Sequence, residues 1–211
     1  MRFGAILAFA VCGCVRADFS YHETLRQARA ASAATRYFHA NRMAVYTKNH
    51  ATVVDLDKET VTEIDFAKKT YSTHPLAQVK PASPEGPRAA SKAMAEAKSF
   101  GVLRATESIV TAGDLTVDCW LATVPGYDDA KTFLRKLGEK AGYGSTLPRA
   151  LEAFADAAKE ILSLPGAPVE TTWKWESGET FRLDLSDLNA APVSGSKFDV
   201  PAGFKPAPAG R

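Results

Sequence analysis

Val53-Val-Asp-Leu-Asp-Lys-Glu-Thr-Val-Thr-Glu-Ile-Asp-Phe-Ala-Lys-Lys-Thr-Tyr71 contains one pattern written twice. Val54-Asp-Leu-Asp-Lys-Glu-Thr-Val61 returns ten residues later as Ile64-Asp-Phe-Ala-Lys-Lys-Thr-Tyr71. Each copy ends a strand on apolar–Asp–apolar, turns through polar residues that include Lys, and starts the next strand on Thr and an apolar residue. That period describes a meander of antiparallel hairpins, and two copies are too few for a solenoid or a propeller. Asp55, Asp57 and Glu59 alternate like calcium-loop ligands. The Gly and the later bidentate Glu of that motif are missing, so they read as turn acids.

Toward the N-terminus the β pattern continues. Arg36 to Lys48 carries Tyr37, Phe38, Met43, Val45 and Tyr46, with a turn expected at Asn41-Arg42. Phe19, Tyr21, Glu23 and Leu25 alternate onto one face, and the pattern softens through Ala28 to Ala34. Toward the C-terminus, the Pro-rich run from Pro75 to Pro87 cannot pair regularly and reads as an exposed crossing loop. Ala89 to Lys98 reads as a short Ala-rich helix. Strands are expected again at Gly101 to Val110 and Leu115 to Thr123, joined through Ala112-Gly-Asp114. Val169, Thr171, Trp173 and Trp175 alternate with polar neighbours, Ser177-Gly178 turns the chain, and Phe181, Leu183 and Leu185 alternate back. Period two on both sides of a Gly turn is a hairpin.

Two helices are expected between Val124-Pro-Gly126 and Pro165-Gly166. Asp128 caps the first, whose stripe is Ala130, Phe133, Leu134, Leu137 and Ala141. The second, near Leu147 to Leu162, aligns Leu147, Leu151, Phe154, Ala158, Ile161 and Leu162. Both stripes are explained by packing on the sheet. The fold class is therefore α+β, an antiparallel sheet with two or three helices packed on one face. Residues 18–204 form one domain that closes at Phe198-Asp-Val-Pro-Ala-Gly-Phe204, and residues 205–211 form a disordered tail.

The first seventeen residues set the address. A basic start at Arg2, an apolar run from Gly4 to Val11, and Val15-Arg-Ala17 have the anatomy of a secretory signal peptide. Cleavage after Ala17 gives a periplasmic or secreted protein. Val11-Cys-Gly-Cys14 offers the alternative, a lipoprotein site that would anchor the protein to the outer membrane through Cys14. Loss of Arg2 and Arg16 takes the 26 Lys and Arg residues to 24, equal to the 24 Asp and Glu. A neutral chain without a basic cluster argues against nucleic acid and against an anionic membrane surface. Cys119 is then alone, cannot close an internal disulfide, and reads as a small core group.

No catalytic pattern stands out. His22, His39, His50 and His74 lack ligand-like spacing, and neither a phosphate loop nor a Gly-x-Ser-x-Gly elbow occurs. No metal, cofactor or enzymatic activity is expected. The aromatic residues carry the remaining signal: Trp173 and Trp175 share a face, and Trp120 lies opposite Cys119. They are either core or part of a ligand surface.

The Asn41-Arg-Met stretch, the hairpin run from Val53 to Tyr71, Trp120-Leu-Ala-Thr-Val-Pro-Gly-Tyr127 and the closing Phe198 to Phe204 together resemble an uncharacterised secreted family of Gram-negative bacteria. More distantly, their order is similar to the periplasmic lipoprotein carriers of the LolA/LolB type. The resemblance spans most of residues 19 to 204. It implies a curved, unclosed antiparallel barrel whose helices plug the concave side around an apolar cavity. Two consecutive helices at Asp128 to Leu162 depart from the carriers, and no position matches their gating Arg. The resulting expectation is a non-enzymatic envelope protein that binds a lipid or other apolar ligand through Trp173, Trp175, Phe133, Leu137 and Phe154. The alternative is a structural or interaction protein of the envelope with a filled core, bound to a protein partner.

Overall fold

The computed structural model describes residues 18–28, 30–76, 88–141 and 152–208. Residues 1–17 with Cys14, residues 77–87 of the expected Pro75–Pro87 loop, Leu147 and Leu151 lie outside them, and Pro75 itself ends a strand. The described residues form one unclosed, curved sheet of twelve strands with α-helices on its concave face.

The sheet is two meanders joined edge to edge. The first runs outward from the middle through β1 (Phe19–Gln27), β2 (Ala30–His39), β3 (Arg42–Tyr46), β4 (His50–Asp55), β5 (Thr60–Asp65) and β6 (Thr70–Pro75). The tandem similarity forms β4, β5 and β6 with their two turns. In those turns Glu59 and Lys69 take the same left-handed conformation, φ 52° in each. The preceding acids act as turn acids: Asp55 accepts from the Asp57 and Lys58 amides, and Asp65 accepts from the Lys68 amide.

The chain then crosses to the opposite edge and meanders back. β7 (Ala90–Phe100), β8 (Leu103–Ala112) and β9 (Leu115–Ala122) lead into α1 (Tyr127–Ala141) and α2 (Glu152–Ile161). β10 (Ala167–Trp175) and β11 (Thr180–Asn189) follow, and β11 pairs antiparallel with β1 to close the seam. Residues 90–100 are thus a strand, where composition suggests a helix. Ala and Lys favour a helix only weakly, and pairing with β8 decides the outcome.

Each sheet face is covered in part, by different means. On the concave face α1 packs Tyr127, Ala130 and Phe133 against Phe19, Phe38 and Leu185. α2 packs Ala153, Ala157 and Ile161 against Val110, Val117 and Cys119. Cys119 is fully buried there, and burial pushes its thiol up to about 12. Lys131 ties α1 to the turn after α2 by donating to the Leu164 carbonyl.

The convex face of the first meander is covered by the C-terminal segment. A 3-10 turn (Gly195–Phe198) seats Phe198 on Ala44, Ala51, Val53 and Ile64, and Phe204 meets Phe66. Lys205 and Pro206, placed by sequence in a disordered tail, instead form β12 parallel to β6. The Lys205 and Ala207 amides donate to the Lys69 and Tyr71 carbonyls, and Pro206, which lacks a donor, falls between them. Asp18 pins the start of this segment. Its carboxylate pairs with His39 Nδ1 at 2.7 Å and accepts from the Val193 amide at 2.6 Å. On the second meander, Trp120 packs against Phe100 on the convex face. Beside it, buried Glu170 pairs with Lys98 and Arg182.

Candidate functional site

The concave face between α1 and α2 holds the expected site residues in two groups. Trp173, Trp175 and Phe154 meet under α2, while Phe133 and Leu137 lie under α1. The first group is organised by Phe181, which sequence alternation placed on this face without assigning it a role. Trp173 is enclosed by Phe154 at 4.5 Å and Phe181 at 5.3 Å between ring centroids, both stacked. The indole nitrogen of Trp173 donates to Thr171 Oγ1, which satisfies its polar edge inside the sheet. Trp175 extends the row, 5.6 Å from Phe181.

Within the α1 group Phe133 is fully enclosed, with an edge contact to Phe38 at 5.8 Å. Leu137 is half-buried. Between the groups runs the seam. Leu25 of β1 lies opposite Leu183 of β11, and Gln27 lies opposite Phe181. Leu25, Leu183, Phe181, Trp175 and Phe154 are all half-buried, so they make one continuous, incompletely covered apolar row.

Among the described residues, a polar constellation interrupts this face. Glu23 of β1 and Arg36 of β2 are joined by two hydrogen bonds: Nε donates to Oε2 at 2.7 Å and Nη2 to Oε1 at 3.1 Å. Arg36 lies opposite Tyr21 on β1 and Val45 on β3. Burial disfavours the Arg36 charge, but Tyr21 and Glu23 outweigh it and hold the guanidinium above its ordinary range. Burial also pushes the Tyr21 hydroxyl up to about 12 and the Tyr127 hydroxyl well above the phenolic range. Both tyrosines therefore stay protonated.

Sequence reasoning put Glu23 on the apolar face but did not single out the pair. The available signal was an inward-facing charge on each of two adjacent strands. Among the described residues, no three His, Cys, Asp or Glu side chains converge as a metal centre would require. The arrangement offers an apolar surface and one neutral, hydrogen-bonding ion pair.

The chain matches no protein-family model and no curated protein in sequence. In structure it is similar to PNGF-II, with a TM-score of 0.39 and 8% identity in one crystal form and 0.37 and 7% in another. The match covers 90% and 87% of this chain but 30% of the PNGF-II chain in each case, so the chain spans less than a third of that neighbour. A DUF1329 family protein from Desulfovibrio piger aligns over 88% of this chain and 90% of its own length, with a TM-score of 0.23 and 8% identity.

Proposed function

We propose that this is an exported, non-enzymatic protein that holds a lipid or other apolar ligand on the concave face between α1 and α2. The observation that carries this reading is the half-buried row Leu25, Leu183, Phe181, Trp175 and Phe154. Apolar groups left partly uncovered beside two docked helices gain free energy when a hydrocarbon covers them, roughly 25 cal/mol per Å² removed from water. Export rests on residues 1–17; no described helix is long and apolar enough to cross a membrane. Intact mass of the mature protein separates cleavage after Ala17 from acylation at Cys14.

Native mass spectrometry of gently purified protein, followed by titration with a fluorescent fatty-acid probe, tests the binding. The expected result is a co-purifying apolar mass or saturable probe uptake that Trp175→Ala weakens. A clean apo mass with no uptake would overturn the proposal. The enclosure of Trp173 between two rings favours a second reading, a filled-core envelope protein, and crosslinking to a protein partner would then be expected.

A further inference from the structure

We infer that the Arg36–Glu23 pair selects the polar end of the ligand, and that this end is uncharged: an acyl ester or acylglycerol rather than a free fatty acid or an alkylammonium. The inference rests on the apolar-ligand reading and adds the chemistry of the head. The pair lies on the same sheet face as the apolar row. Glu23 and Gln27 are about 13 Å apart along β1 at the usual strand rise. A polar group at Arg36 therefore places its hydrocarbon chain over Leu25 and Leu183 toward Phe181.

Three features point to a neutral head. First, Glu23 already occupies one fork of the guanidinium, so the pair carries no net charge. Second, an anion at Nη1 would bring a second negative charge to a guanidinium that Glu23 already neutralises, on a largely desolvated face, which is costly; a cation would meet Arg36. The two side chains are 24% and 17% exposed, enough for a ligand atom to reach them but too little for water to screen either charge fully. Third, Arg36 Nη1 has the Met43 thioether at 3.8 Å as its neighbour. Sulfur is a weak acceptor, so an ester or hydroxyl oxygen improves on it without breaking the ion pair.

Calorimetric titration with a monoacylglycerol, the free fatty acid and the alkyltrimethylammonium of equal chain length tests this. Wild type should take the monoacylglycerol about tenfold more tightly than either charged ligand. Glu23→Gln frees the Arg36 charge and should tighten fatty-acid binding about tenfold, erasing the preference for the monoacylglycerol over the fatty acid. Arg36→Leu alone would strand Glu23, so the double variant Glu23→Leu/Arg36→Leu is the control that removes both charges together, and its monoacylglycerol affinity should fall about tenfold with no gain for the fatty acid. Equal affinities in wild type, or no shift in Glu23→Gln, would overturn the head-group inference while leaving the apolar site standing. Failure of wild type to bind any of the three would remove both.

Discussion

An added Cβ at Gly166 would lie 2.6 Å from the Ala122 carbonyl oxygen, on a backbone whose φ of +86° already disfavours L side chains. Gly178 has nearly the same φ, +89°, but open space around it. The two glycines therefore separate strain from collision. Gly178→Ala should cost about 1 kcal/mol, from the left-handed backbone alone. Gly166→Ala should cost roughly 2–4 kcal/mol, because the end of β9 must also move. Urea midpoints of the two variants, at unchanged slope, check the difference. Of the candidate site at this scale, Trp173, Trp175 and Phe154 were legible from alternation and helical spacing. Arg36 with Glu23 was not, because a cross-strand pair becomes visible only once β1 and β2 are known to be neighbours.

The C-terminal segment has little regular structure beyond the Gly195–Phe198 turn and β12, and it works by covering the convex face of the first meander. Phe198 is its anchor. It is buried among Ala44, Ala51, Val53 and Ile64, and the Arg42 guanidinium lies 4.8 Å from its ring centre. Phe198→Ala should cost about 3 kcal/mol and increase binding of a hydrophobic dye, since Tyr46, Phe66 and Tyr71 lose their cover. An unchanged melting temperature would show that the segment does not contribute to stability.

Elements differed in how plainly the sequence showed them. The hairpins β4 to β6 stand out because turn chemistry and period two coincide, and α1 and α2 because each carries an apolar stripe. β7 does not: nearly all its side chains are exposed, so no alternation marks it, and pairing with β8 holds it. β12 is equally silent, since two residues are ordered only by the edge of β6.

For the whole molecule, buried neutral acids set the behaviour in alkali. Tyr21 and Cys119 are each raised by burial to about 12, and Tyr127 is raised well above the phenolic range. Each group keeps its proton when folded and releases it earlier when unfolded. Their stabilising contribution is thus complete below the unfolded values, near 9 for the thiol and 10 for the phenols, and is lost as pH rises toward about 12. Tyr21 alone should account for roughly 3 kcal/mol of that loss. Denaturant titrations at about pH 8 and pH 11 should show the decline, and Tyr21→Phe should flatten it.

The seam of the sheet bears on how the protein assembles. Except for β1 with β11 and β6 with β12, every strand pairs only with its predecessor or successor in the chain. Each meander can therefore zip by local contacts before the other exists, and joining them is a docking event that starts where β1 meets β11 and brings α1 and the C-terminal segment onto the first meander. Residues 18–76 and 88–208, made as separate polypeptides, should consequently recognise each other and reconstitute the sheet as a bimolecular complex, with the association rate set by how quickly β1 finds β11.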